Sequence, residues 1–375
     1  RAAVMAHDIG LRLYKNEEGE SGFEVFVGGG LGRTPFIGKC IRSFLPTEHI
    51  LSYCEAILRV YNQLGRRDNK YKARIKVLVH ETGIDKIREL VEAEWESIRD
   101  GALNLPEEDV ALIRARFTPP VYEEPVDSED EIATLREQNP DFDRWVGQQL
   151  AEHKQPGYSI VNISCTPIGK PPGDISSDQM EAVADLADRY SDGEVRLTVE
   201  QNFILPNVDA SKVDALLKEP ALTMGRLSVD PGNVKGPMVS CTGSQFCPLA
   251  IIETKSLAER VMAKVDALVE APRPVRVHWT GCPNSCGQVQ AADIGLMGAP
   301  AKRANAEGKM KAVAGANIFL GGTIGEGGHL AMDPHMKNVP IDDEDEIAGV
   351  IADLMRKHFR AKKRKAAKKE VAMSR

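Results

Sequence analysis

Four cysteines constrain this chain more than anything else in it. Cys241 and Cys247 are separated by five residues, Cys282 and Cys286 by three, and 34 residues lie between the pairs. Seven cysteines in 375 residues are too few for a disulfide scaffold, and an odd count with no export pattern points to reduced thiols in the cytoplasm. In that setting a tight thiol cluster reads as a ligand set. Four convergent thiolates suit either tetrahedral zinc or an iron-sulfur cluster. Structural zinc favours short knuckles on self-contained polar turns, whereas both pairs here sit inside a large α/β segment. A cubane is wider than one ion and accepts looser spacing. The intervening residues, Thr242-Gly243-Ser244-Gln245-Phe246 and Pro283-Asn284-Ser285, also let backbone amides turn toward sulfur, which tunes a cluster's potential. The spacing favours a cluster, with zinc and unliganded core cysteines as the alternatives.

The remaining composition is that of a globular chain, with 42% hydrophobic and 27% charged residues and room for two to three domains. Lys and Arg number 48 against 55 Asp and Glu, a formal charge of −7, so nucleic acid is not an expected partner. An anionic ligand must be gathered by local cations. No stretch approaches the roughly 18 uncharged apolar residues of a membrane helix, so no membrane partner is expected either.

The pattern along the chain predicts alternating strands and helices. Phe23-Glu24-Val25-Phe26-Val27 alternates and breaks into Gly28-Gly29-Gly30-Leu31-Gly32, and Ile50, Leu51, Cys54, Ile57, Leu58 and Tyr61 recur at helical spacing after a capping Thr47. Lys76-Val77-Leu78-Val79 reads as a strand, and 84–100 as a second amphipathic helix. From 119 to 155 the pattern weakens around Pro119-Pro120, Pro125 and Pro140, and six of the nine residues from Glu123 to Glu131 are acidic, which reads as a solvated connection holding a short helix at Phe142 and Trp145. A new unit starts at Pro156, with strands at 159–164 and 195–199 and a helix at 178–190. Further helices are expected at 254–270 and 344–358.

An internal repeat is visible. Asp8-Ile9-Gly10-Leu11 followed by Val25 to Gly32 parallels Asp293-Ile294-Gly295-Leu296 followed by Ile318 to Gly325, and each copy then enters a Pro-started helix, at Pro46 and at Pro340. Two copies imply an ancestral duplication with a pseudo-two-fold site between them. Neither glycine segment has the spacing of a dinucleotide-binding turn.

Four segments carry a resemblance to a known family. Cys241-Thr-Gly-Ser-Gln-Phe-Cys247, Ile251-Ile-Glu-Thr-Lys255 and His278-Trp-Thr-Gly-Cys-Pro-Asn-Ser-Cys-Gly-Gln288 resemble the cofactor segment of the assimilatory sulfite and nitrite reductases. Arg196-Leu-Thr-Val-Glu-Gln-Asn202 resembles that family's second ferredoxin-like half-domain. The resemblance implies an α+β fold with duplicated halves: 1–118 as the end of the first repeat, 119–155 as a linker, 156–222 as the half-domain, 223–360 as the siroheme and [4Fe-4S] domain, and 361–375 as a basic tail. It implies a [4Fe-4S] cluster on Cys241, Cys247, Cys282 and Cys286, with Cys286 also ligating the siroheme iron. Asn284 is a candidate siroheme neighbour.

Siroheme's carboxylates and an anionic substrate call for Arg and Lys donors. The candidates are Arg66, Arg67, Lys70, Lys72, Arg74 and Lys76, with an ordinary solvated loop as the plain alternative. The resemblance places the family's substrate-holding cations upstream of Arg1, so no catalytic residue is assigned, and this chain alone is expected to bind siroheme poorly and to turn over neither anion. The expected reaction is six-electron reduction of sulfite to sulfide, with reduction of nitrite to ammonia as the alternative and a zinc- or cluster-stabilised binding protein as the non-catalytic one. The donor would be ferredoxin, flavodoxin or a flavoprotein reductase. The segment from Arg356 to Lys369 holds nine Lys or Arg residues, read as a frayed solvated end or as a docking site for an acidic donor. His278 and Trp279 are candidates to line the cofactor pocket or to pack in the core, and Cys40, Cys54 and Cys165 are expected to be incidental.

Overall fold

The alternating 23–27 segment becomes the centre of a three-stranded antiparallel sheet, ordered Ile9–Lys15, Ser21–Val27, Lys39–Pro46. The computed structural model describes residues 3–122, 129–166, 169–223, 227, 231–325 and 327–364. Most of the acidic run, at 123–128, and the end of the basic tail from 365 lie outside them. Two compact units result, Arg1–Pro119 with Gly322–Met332 and Pro120–Gly321 with Asp333–Arg375.

In the first unit the helices Ile50–Leu64 and Ile84–Ile98 share one core with the sheet, built from Val25, Val27, Ile41, Leu45, Tyr53, Ile57, Val60, Val91 and Trp95. Two polar pairings brace it. Trp95 Nε1 donates to Ser52 Oγ at 3.0 Å, and Glu92 accepts from Tyr53 at 2.8 Å and from Arg42 at 2.6 Å. The segment expected as a strand at Lys76–Val79 is instead a helix, Ile75–Thr82, with Ile75 to Val79 all buried. A short continuous apolar run does not distinguish a buried strand from a buried helix, and here the helix forms. Thr47 opens a 3₁₀ turn, Thr47–His49, rather than capping the following helix, whose N-cap His49 makes no side-chain capping bond. Leu51 and Leu58, expected on the apolar face, are exposed.

In the second unit a four-stranded sheet runs Leu150–Glu152, Tyr158–Ile163, Phe203–Asp209, Arg196–Leu197. The helix Ser177–Tyr190 packs on it, started by a capping box between Ser176 and Gln179. The strand expected over 195–199 shrinks to Arg196–Leu197, with Leu197 and Val199 exposed on the sheet's edge. Much of the stretch read as a solvated connection packs here as well. The helix Pro140–Gln149, capped by Asn139, buries Phe142, Trp145 and Val146 in the half-domain core, so apolar content overrides the local proline and acid signal.

The same unit holds a five-stranded mixed sheet, ordered Met336–Pro340, Met310–Leu320, Ile294–Ala304, Val277–Thr280, Met238–Ser240. Val277–Thr280 is parallel to both of its neighbours. The helices Lys255–Leu268 and Glu344–His358 pack into its core around Met238, Val277, Trp279 and Ile294. The basic end is not frayed up to Arg364: Lys362–Lys363 pairs with Val269–Glu270, and Arg364 meets Asp266 at 3.1 Å.

The two copies of the repeat share more than their glycines. Gly28 N donates to Asp8 O at 3.0 Å, and Gly321 N to Asp293 O at 2.9 Å. Ile9 pairs with Val27 as Ile294 pairs with Leu320, and the third strands end at Pro46 opposite Gly22 and Pro340 opposite Gly315. A 3₁₀ turn precedes each hairpin, Val4–Ala6 and Val289–Ala291. A side chain on Gly10 would put its Cβ 2.5 Å from Val4 O, and one on Gly295 would put it 2.2 Å from Val289 O, so both glycines admit the same close approach.

Gly295→Ala is therefore expected to destabilise the protein by about 1–3 kcal/mol through overpacking. Gly349→Ala, inside a helix with nothing within 4 Å of the added carbon, should stabilise it by about 0.5–1 kcal/mol. Denaturant midpoints of the two variants check this, and the reverse order would contradict it.

Candidate metal centre

Parallel pairing places the site. Met238, Val239 and Ser240 lie opposite Val277, His278 and Trp279, so the loops that follow both strands leave the sheet at the same end. Cys241 follows the first strand at once, and Cys282 follows the second after Gly281. Cys241 N donates to Trp279 O at 3.0 Å, and Ile251 N donates to Gly281 O at 2.8 Å. The Gly281 amide in turn donates to Cys241 Sγ at 3.1 Å. An amide-to-sulfur bond of the expected kind is thus present, although its donor is Gly281, just before the second pair, and not one of the residues between the cysteines. Thr254 Oγ1, fully buried, donates to Cys241 O at 2.6 Å. Nothing in the sequence pattern singles out that threonine, because the contact spans 13 residues of irregular loop.

The second loop is held in an unusual shape. Ser285 and Gln288 both have left-handed backbones, with φ of 58° and 52°. Such residues cost about 1–3 kcal/mol each and persist where the surroundings over-determine them. Here Ser285 Oγ donates to Gln290 Oε1 at 2.6 Å, Ser285 N to Cys282 O at 3.2 Å, and His278 Nδ1 lies 2.8 Å from Gly287 O as donor.

All four cysteines are free. Cys282 is buried, Cys241 and Cys247 are half-buried, and Cys286 is exposed. Partial burial raises the Cys286 thiol's pKa, and the charges of Cys241, Cys282 and Cys247 raise it further, so all four sulfurs lie within electrostatic reach of one another. Yet among the described residues no three Cys, His, Asp or Glu side chains are close enough to share one ion. Tetrahedral zinc with arms of about 2.3 Å needs its sulfurs only ~3.8 Å apart. Thiols gathered at this end of the sheet suit either an ion or a cluster, and loading either must displace their protons.

The other candidates are spread differently. Asn284 lies between the two cysteines of the second loop, half-buried and without a hydrogen bond among the described residues. Arg66, Arg67, Lys70 and Arg74 belong to the other compact unit, each engaged locally. Arg66 pairs with Asp68 at 2.6 Å and Arg74 with Asp8 at 2.7 Å, Arg67 stacks over Tyr61, and Lys70 over Tyr71. Lys76 is buried, and its ammonium donates to Leu31 O and Thr34 O, both at 2.7 Å. The first glycine segment is thus tied by a lysine to its own fold. Trp279 is core, fully buried. Cys165 is buried, which pushes its thiol up to about 11, and Cys54 is half-buried with its thiol raised by burial; neither lies in the site.

Burial pushes the His278 imidazole down to about 4, so it is neutral in the fold at neutral pH. Its folded pKa lies below the unfolded one. The unfolded chain therefore takes up the proton first as pH falls from about 6.5 toward 4, and this group alone should cost about 1.4 kcal/mol of stability per pH unit over that window. Unfolding free energies from pH 7 to 4.5 should fall less steeply for His278→Phe than for the unmodified chain. Equal slopes would contradict this.

Comparison with known proteins places the geometry in a family. Residues 1–98 and 232–373 match the nitrite and sulphite reductase 4Fe-4S domain, and 166–222 match the nitrite/sulfite reductase ferredoxin-like half domain. The chain is 37% identical over 360 residues to a chloroplastic ferredoxin–nitrite reductase of Arabidopsis thaliana, covering 95% of this chain and 53% of that protein. It is 36% identical over 353 residues to the ferredoxin–nitrite reductase of Synechococcus elongatus, covering 93% and 59%. It thus spans just over half the length of these relatives. Among solved structures, Mycobacterium tuberculosis NirA shares the fold at a TM-score of 0.66 and 23% identity, covering 98% of this chain and 59% of that one. With its four-thiol site, its half-domain and its paired repeats matched together, the chain belongs to the nitrite and sulphite reductase 4Fe-4S family.

Proposed function

We propose that this chain carries the siroheme and [4Fe-4S] site of a ferredoxin-dependent nitrite reductase, an oxidoreductase that takes nitrite to ammonia. The observation that carries the reading is the set of four thiols on two loops that leave the same end of two parallel strands, inside the segment that matches the family's 4Fe-4S domain. The preference for nitrite rests on the relatives, which are named ferredoxin–nitrite reductases at up to 95% coverage of this chain. It replaces the expected reduction of sulfite, on which the cations of 65–76 do not bear. The described cations of that segment meet side chains or carbonyls of their own fold, and nothing in those contacts separates one anion from the other. Ferredoxin as donor rests on the same names. All seven cysteines are free, which suits a reducing compartment such as the cytoplasm, and among the described residues no helix is long and apolar enough to cross a membrane.

When bound, the cluster and siroheme would supply electrons one at a time to an anion that needs six of them. The chain's own residues do the holding. Cys241, Cys247 and Cys282 would ligate irons from positions buried or half-buried in the loops. Cys286, the exposed member of the four, is proposed as the ligand shared with siroheme, as the family resemblance implies. The Gly281 amide on Cys241 Sγ withdraws charge from that sulfur and favours the reduced cluster. Asn284 is proposed as a polar neighbour of siroheme. Arg66, Arg67, Lys70 and Arg74 are proposed as donors to its carboxylates, since exposed ion pairs are worth only about 0–1 kcal/mol and exchange readily for a stronger partner.

Steady-state assays with reduced ferredoxin test the substrate. With the segment upstream of Arg1 restored, the cofactor-loaded protein should show siroheme's Soret and red bands and a kcat/KM for nitrite at least about tenfold above that for sulfite, a difference of about 1.4 kcal/mol in transition-state binding. A higher kcat/KM for sulfite would overturn the assignment.

A further inference from the structure

Met238–Ser240 is the edge strand of the five-stranded sheet, paired along one side with Val277–Thr280 and, among the described residues, with no strand on the other. Ser240 is nevertheless fully buried, so its outward backbone groups need a partner. They find it in a side chain. Gln201 Nε2 donates to Ser240 O at 3.0 Å, and Ser240 N donates to Gln201 Oε1 at 3.1 Å, the reciprocal pair that a neighbouring strand would make. The backbone donor and acceptor fix which way round the amide lies.

Two further observations converge on the same residue. Gln201 has a left-handed backbone, with φ of 61°, an uncommon conformation for a side chain of its size. A Cβ on Gly173 would lie 2.8 Å from Gln201 Cβ, so a glycine with φ of 71° leaves the space that this side chain needs. The turn that presents it is rigid. Thr198 N donates to Asn202 O at 2.9 Å, Asn202 N to Thr198 Oγ1 at 3.1 Å, and Cys165 N to Asn202 Oδ1 at 2.9 Å. The residue that follows Ser240 is Cys241, itself fixed through Trp279 O, Thr254 Oγ1 and the Gly281 amide.

We propose that Gln201 is a positioning residue for the cluster: its carboxamide stands in for a missing strand, fixes Ser240 and thereby aims Cys241, tying the ferredoxin-like half-domain to the first cluster ligand. This rests on the proposed cluster only for its iron readout; the backbone effect stands apart from it.

Hydrogen exchange and iron retention in the purified full chain test it, with three variants. Gln201→Leu keeps the bulk and the strained backbone but no polar atom. Gln201→Gly relieves the strain and removes the side chain. Gln201→Glu keeps an acceptor for the Ser240 amide. In the Leu and Gly variants the amides of Ser240 and Cys241 should exchange about five- to tenfold faster, the value of one net hydrogen bond, while those of Ile294–Ala304 stay unchanged. The Glu variant should keep the Ser240 amide near its unmodified rate. Iron should pass to a chelator faster from Leu and Gly than from the unmodified chain, with a shifted cluster midpoint potential. Unmodified exchange and retention in both would overturn the inference, and so would a defect in Leu that Gly repairs, which would assign the effect to backbone strain. Should Leu fail to fold, the Gly and Glu pair decides. A chain that takes up no iron in any form removes the proposed cluster, while the exchange rates still judge Gln201.

Discussion

The site depends on the parallel pairing of two short strands. Met238–Ser240 and Val277–Thr280 run in the same direction, which requires a crossover, supplied by the helix Lys255–Leu268. Their shared direction delivers Cys241 and Cys282 to the same end of the sheet. An antiparallel pairing would send one of the two loops to the far end. The pairing is held by burial: Met238, Val277 and Trp279 are fully buried in one core with Val261, Met262 and Val265 of the crossover helix. The hydrophobic term that folds this unit is thus also what assembles the thiols, and the loops need only local hydrogen bonds to finish the geometry.

The repeat gives the second of these strands its other neighbour. Ile294–Ala304 pairs with Val277–Thr280 and opens the second copy's hairpin, whose 3₁₀ turn begins three residues after Cys286. Backbone crowding at Gly295 under Val289 O presses that turn against the hairpin. In the first copy the same hairpin, glycine turn and third strand support helices and a buried Lys76. One architecture thus serves two different surroundings, as expected when a duplicated unit keeps its core and changes its loops.

Much of this was legible in the residues. The cysteine spacing announced the ligand set, the glycine repeat announced the hairpins, and the periodicity of 344–358 matched its helix in full. What sequence missed has physical causes. Lys76 to Val79 looked like a strand because a short buried run carries no period. Phe142 and Trp145 did signal a short helix within a segment whose prolines and acids spoke for solvent, and what the sequence understated is how fully that helix joins the core. Thr254 and Gln201 were invisible in role because each acts through contacts made only after the fold is complete. Spacing also left zinc open, and what favours the cluster is the match to the family's 4Fe-4S domain.

The central claim is that these four thiols hold an iron-sulfur cubane. Elemental analysis of the anaerobically purified protein with acid-labile sulfide determination tests it most directly. The account predicts about four labile sulfides per chain, with iron at least equal to them and zinc at background. Stoichiometric zinc without labile sulfide would contradict it.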